Sequence, residues 1–331
     1  MIRLLVATIL SGWLVFSAAG AGLDAASINS AEFRSKPPAE DKIDPVVIRA
    51  QVLLDKAQFS PGEIDGKLGE NAQKALKAFA VAKGLSSDKA LTPDIWTMLA
   101  GANKDPVITE YTISKGDVKG PFLEKLPAKM EDMKNLKALG YTSAREAIAE
   151  KFHMSEGLLS ALNPGKKFEA GEIIFVANVL GKPAKLTIGR IEVDKSRQTV
   201  KAFDPSGALI AFFPATVGSE EKPSPSSDLK VVSVDANPNY RYNPDYKFKG
   251  VKSKTTFTIK PGPNNPVGSY WIGLSAEGFG IHGTANPSKI SKSESHGCVR
   301  LTNWDIGLLG SSIKKGTPVV FVEEPQAGRK S

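Results

Sequence analysis

The apolar pattern changes period along this chain, and that change confines the fold to modules in series. Val46, Val47, Ala50, Leu53, Leu54 and Ala57 recur at helical spacing, as do Ala72, Ala75, Leu76, Phe79 and Ala80. From 107 to 178, strand-like Tyr111–Asp117 and Ile173–Val176 flank helical runs at Ser143–Phe152 and Ser155–Leu162. From 183 to 322 the two-residue alternation of strands dominates. A length of 331 residues leaves room for two or three domains.

Local signals set the boundaries. Asp44-Pro45 supplies an N-cap and first-turn proline, Gly62–Gly69 a glycine-rich turn, Gly84 a C-cap, and Thr92-Pro93 the start of a third helix through Trp96 and Leu99. Residues 22–44 are polar, contain Pro37-Pro38 and read as a poorly ordered linker. Val118–Thr142 is an extra stretch inside the middle module, with a helix expected over Leu126–Leu139. His153 reads as a surface residue at a helix end. In the last module, strands are expected at Lys185–Val193, Gln198–Asp204, Ala208–Val217, Leu229–Ala236, Gly268–Leu274 and Val319–Glu323. A long surface loop is expected over Asn237–Lys254 and a helix over Asn303–Lys314. A polar tail, 324–331, ends the chain.

The first 21 residues read as a signal peptide: Arg3, the apolar run Leu4–Phe16, then Ala18-Ala19-Gly20-Ala21. The expected location is outside the cytoplasm, in a periplasm, with no membrane span once the signal is cleaved. An uncleaved anchor helix is the alternative. The net charge of +8 is scattered, with no basic run interleaved with aromatics, so no nucleic-acid partner is expected. Oligomeric state is not legible.

One cysteine, Cys298, stands in the whole chain, so no intramolecular disulfide is possible. It lies in Ile281–Leu301, which also holds His282 and His296 of the three histidines. A free thiol is only about 3% ionised at pH 7, and a nearby His and Arg can raise that fraction. In an extended segment His296, Cys298 and Arg300 point to one side. Gly297 allows close backbone approach and an N–H-lined oxyanion pocket. His282 sits on the other arm, and a polar loop, Ala285–Ser295, could fold it onto Cys298. Gly283 follows it, so a backbone carbonyl has to orient the imidazole. A metal held by Cys298, His282 and His296 lacks C-x-x-C or H-x-x-x-H spacing, and neither a metal nor a cofactor is expected.

H-G-T at His282–Thr284, then S-H-G-C-V-R-L at Ser295–Leu301, resembles the signature of the L,D-transpeptidase (YkuD-like) catalytic domain. Val217-Gly218, Ser224-Pro225, Ala236-Asn237-Pro238, Pro263–Pro266 and Gly268 add to that resemblance. It implies Cys298 as nucleophile and His282 as proton-transfer residue. It places Gly283, Ser295, His296, Gly297 and Arg300 in the oxyanion and substrate pocket. It implies cleavage before the fourth-position D-alanine of a peptidoglycan stem, a thioester, and transfer to an amine. A second stem as acceptor gives a 3→3 cross-link. Water as acceptor would make an L,D-carboxypeptidase, and a silent site would leave a wall-binding scaffold.

Ile64–Gly69 with Phe79–Leu85 resembles the peptidoglycan-binding domain 1 family, and Tyr111–Asp117 with Asn163-Pro164-Gly165 resembles LysM. The expected architecture is multidomain: a small α-helical bundle at 45–101, an α+β LysM-like module with an insertion at 107–178, and a mainly-β, β-sandwich-like YkuD catalytic domain at 184–323. The partners implied are stem peptides and glycan strands.

Overall fold

The computed structural model describes residues 23–36, 38–101, 103–181, 185–218, 225, 228–246, 251–292 and 297–323. The segment read as a signal peptide, the tail, Ser295 and His296 lie outside these residues. The first module contains α1 (Ala25–Asn29), α2 (Pro45–Lys56), α3 (Glu70–Ala82) and α4 (Pro93–Gly101). Asp44 caps α2 by accepting from the Val46 N–H at 2.8 Å, and Gly84 follows α3 at φ +68°. Helix α1 lies in the stretch expected to be a poorly ordered linker. Ile28 is fully buried there, and the Asn29 amide brackets the backbone of Ile108 with two 2.9 Å bonds. One buried isoleucine and a paired amide outweigh the polar composition of that segment.

The middle module is β1 (Ile108–Thr112), α5 (Met130–Met133), α6 (Ala144–Lys151), α7 (Glu156–Leu162) and β2 (Ile173–Ala177), with β1 antiparallel to β2. The β-α-α-β order is as expected. The insertion holds one helical turn, α5, in place of the expected helix over Leu126–Leu139. Its backbone bonds outward instead: the Leu139 N–H donates to Pro261 O, and Leu139 O accepts from the Asn264 N–H, both at 2.9 Å.

The third module contains β3 (Arg190–Asp194), β4 (Thr199–Phe203), β5 (Leu209–Pro214), β6 (Leu229–Ala236), β7 (Tyr240–Tyr242), β8 (Phe257–Ile259), β9 (Tyr270–Leu274), β10 (Gly280–His282), β11 (Val299–Arg300), α8 (Asn303–Ser312) and β12 (Pro318–Val322). Eight strands form one sheet in the order β11-β10-β9-β6-β12-β3-β4-β5. The expected sandwich of two sheets is corrected to this single curled sheet. Strand β6 pairs with β12 at its start and with β9 further on, with a register shift between Val231 and Ser233. The edges then meet: Thr216, just past β5, exchanges backbone bonds of 2.8 and 2.9 Å with Arg300 of β11. Val193, Ala211, Ile272, Ile281, Val299 and Ile306 share one core inside the curl. Part of the expected loop Asn237–Lys254 is β7, which forms a hairpin with β8.

Candidate active site

Strands β10 and β11 run parallel, with Ile281 opposite Val299 and His282 opposite Arg300. Because side chains alternate along a strand, His282, Arg300 and Cys298 share a face, opposite that of buried Ile281 and Val299. The long excursion from 283 to 298 is what a parallel pairing needs, since a hairpin turn cannot connect parallel strands. His282 and Cys298 line one cavity of about 680 Å3, with Arg300, Trp271, Tyr240 and Arg241 among its walls.

The imidazole of His282 is held on two sides. Its Nδ1–H donates to the Gly283 carbonyl at 2.7 Å, so Nε2 is the nitrogen left to accept a proton. Its ring stacks on Trp271, with centroids 5.6 Å apart and planes 18° from parallel. Gly280 makes that stack possible, because a Cβ there would lie 2.5 Å from the indole ring. Burial, reinforced by the Arg300 guanidinium, pushes the His282 pKa down to about 3, so the ring is neutral. The Cys298 thiol, which donates to the Gly278 carbonyl at 3.6 Å, is pushed up by burial. A Gly280 backbone hydrogen bond and Arg300 oppose that rise without overcoming it. The activation expected from the neighbouring cations is therefore corrected: the resting pair is neutral thiol and neutral imidazole.

Residues 188–321 match the family model of the YkuD L,D-transpeptidase catalytic domain. The chain is 29% identical over 177 residues to YkuD of Bacillus licheniformis, named as an L,D-transpeptidase, covering 53% of this chain and 90% of that one. It is 26% identical over 194 residues to YbiS of Escherichia coli K12, likewise named, covering 56% of this chain and 62% of that one. A solved structure of L,D-transpeptidase 3 from Mycobacterium tuberculosis aligns with a TM-score of 0.34 at 17% identity, over 46% of this chain and 68% of that one. The third module matches the L,D-transpeptidase catalytic domain.

Within this module, the described residues singled out in the sequence fall into three groups. Cys298, His282 and Arg300 meet at the cavity. Gly297, buried beside Cys298, has φ +103°, a conformation that favours glycine. Gly283 plays a different part from the one expected. Its N–H donates to Val267 O at 3.0 Å and to Tyr270 O at 3.3 Å, while its carbonyl orients His282. A Cβ on Gly283 would lie 2.2 Å from Asn303 Oδ1.

Asn303 is a supporting residue that the sequence reading missed. Its Oδ1 accepts from the Ser269 N–H at 3.0 Å, and its amide donates to Glu150 and to the Pro263 carbonyl at 3.1 Å. It thus ties the loops behind His282 to the middle module. The available signal was its place at the start of α8, which sequence alone explains as a cap; the structure gives the cap to Thr302.

Proposed function

We propose that this chain is a peptidoglycan L,D-transpeptidase of the exported, periplasmic kind, using Cys298 as nucleophile and His282 as proton carrier. The observation that carries this reading is the shared face of β10 and β11. It puts an oriented, neutral imidazole and a thiol in one cavity within a domain of the L,D-transpeptidase family. As Cys298 Sγ attacks the stem-peptide carbonyl before the fourth-position D-alanine, its proton passes to His282 Nε2. The pair becomes charged together, and each charge stabilises the other. Backbone N–H groups at Gly297 and Cys298 hold the oxyanion. The imidazolium returns its proton to the departing amine of D-alanine, leaving the acyl group on sulfur as a thioester. The amine of a second stem then attacks the thioester, giving its proton to His282, which passes it to the leaving thiolate; the product is a 3→3 cross-link. Arg300 and Arg241 supply positive charge for the carboxylates of the stem.

The first module is proposed to bind peptidoglycan and the β-α-α-β module to act as a LysM-like wall-binding unit, in keeping with the motifs at Ile64–Gly69 and Tyr111–Asp117. Incubation with tetrapeptide muropeptides, followed by mass identification of products, tests the reading. Cross-linked dimer is the expected product. Tripeptide alone would identify a carboxypeptidase, and unchanged substrate would leave a wall-binding scaffold.

A further inference from the structure

The insertion at 118–142 belongs in sequence to the middle module, yet it is fastened to the L,D-transpeptidase domain at several points. The Glu131 carboxylate accepts from the Lys252 and Ser253 N–H groups, at 2.6 and 3.2 Å, in the connection between β7 and β8. The Lys134 ammonium lies 5.7 Å from the centroid of Phe257 on β8. Leu139 is fully buried and bonds both Pro261 and Asn264. Gly262 accommodates it: a Cβ there would sit 2.1 Å from the Leu139 carbonyl oxygen. These anchors hold Met130 in the wall of the same cavity that contains Cys298 and His282. The hairpin that Glu131 fastens carries Tyr240 and Arg241 into that wall.

We infer that this insertion is a strap closing one side of the donor cleft, with Met130 as a specificity-determining contact and Glu131 as the positioning residue for the β7–β8 hairpin. The proposal rests on the stem-peptide reading given above. Met130 offers a flexible apolar surface to the aliphatic flank of the donor stem, a role that suits an unbranched thioether. Glu131 acts at a distance from the reacting atoms, by fixing the strand that presents Tyr240 and Arg241. Substrate selection is thereby shared between two modules, and the middle module contributes to the reaction besides any grip on glycan.

The test compares wild type, Met130→Ala, Met130→Leu and Glu131→Ala on a tetrapeptide muropeptide, with amide exchange at Lys252 and Ser253 followed in parallel. Met130→Ala should raise KM about tenfold with kcat little changed, the scale of losing one or two methylene contacts in an apolar pocket. Met130→Leu should recover most of that loss. Glu131→Ala should raise KM and speed exchange at Lys252 and Ser253. An unaltered KM in both alanine variants overturns the strap. If wild type is inert toward the peptide, the stem-peptide reading fails, and the exchange data still decide the strap. Unchanged exchange in Glu131→Ala overturns it, while faster exchange upholds the fastening of the hairpin.

Discussion

At the scale of single residues, the site is a thiol and an imidazole that are both uncharged at rest. His282 is pushed down to about 3 by burial and by Arg300, and burial pushes the Cys298 thiol up. A lowered imidazole pKa means that His282 gains no proton between pH 8 and pH 5. Its ring resonances should therefore stay unshifted through the usual histidine range in an NMR titration. A raised thiol pKa means that alkylation of Cys298 by iodoacetamide should keep accelerating past pH 9, with its midpoint above that of an ordinary thiol. A midpoint near 6 would instead show a preformed thiolate–imidazolium pair. The residue types of this site were legible in the sequence, because one cysteine, two histidines and an arginine stand within 21 positions, from Ile281 to Leu301. Their charge states were not, because burial is a property of the packed domain and outweighs the adjacent cation.

At the scale of elements, the register of β10 against β11 sets the geometry, and glycines let neighbours approach closely enough to keep it. Gly268, at φ +63°, lies against Asn303 Oδ1 and the Gly283 backbone. Gly268→Ala should cost about 1–3 kcal/mol of stability, from backbone strain and from displacing Asn303. A shift of the urea unfolding midpoint measures it. Gly280→Ala should push Trp271 off its place over His282 and lower kcat/KM while secondary structure by circular dichroism stays intact. Six of the ten strands among the third module's described residues were legible as alternating runs. The four that were not, β7, β8, β10 and β11, are two or three residues long, too short to show a period. Helices α2, α3 and α4 of the first module were legible, since their caps and 3.6-residue repeat are local signals, whereas the short α1 was hidden in a polar stretch. The curl of the sheet was not, because it depends on a bulge in β6 and on the bridge between Thr216 and Arg300.

At the scale of the molecule, the modules are stitched together rather than strung on linkers. Ser60 N donates to Phe212 O at 2.8 Å, and Phe212 N to Gln58 O at 3.0 Å, so the first module adds a bridge to β5. Ile64 bridges Met154 of the middle module. His153, expected at the surface, instead bonds Asp55 at 2.9 Å and stacks on Trp304 at 5.2 Å, touching the first and third modules at once. Around it, burial pushes Asp305 up to about 7, although Thr302 and Ser60 hydrogen-bond it. Burial likewise pushes Glu150 up to about 7 against its bonds from Tyr141 and Asn303. Burial opposes the charge on His153, but the Asp55 carboxylate, together with Asp305 and Glu150, outweighs it and raises its pKa.

A carboxyl raised in the folded state binds its proton more tightly than in the unfolded chain. Its contribution is complete below about pH 4 and is lost as pH rises toward about 7. A raised histidine contributes fully below about 6.5 and loses that contribution through its folded pKa. Both signs agree, so these groups make the module junction strongest in mild acid. The urea midpoint should fall between pH 5 and pH 8, and Asp305→Asn should flatten part of that fall. A midpoint that rises over this window would contradict the assignment. The junction escaped the sequence reading because its members, Asp55, the Glu150 and His153 pair, and Asp305, come from three distant stretches of the chain and each resembles a solvated charge.

The central claim is that Cys298 carries the acyl group. Intact-mass measurement of the protein during turnover of a tetrapeptide muropeptide reads this directly. The expected result is an adduct equal to the substrate less D-alanine, mapped to the peptide containing Cys298 and absent in Cys298→Ala. The same adduct on Cys298→Ala, or cross-linked product formed by that variant, would contradict it.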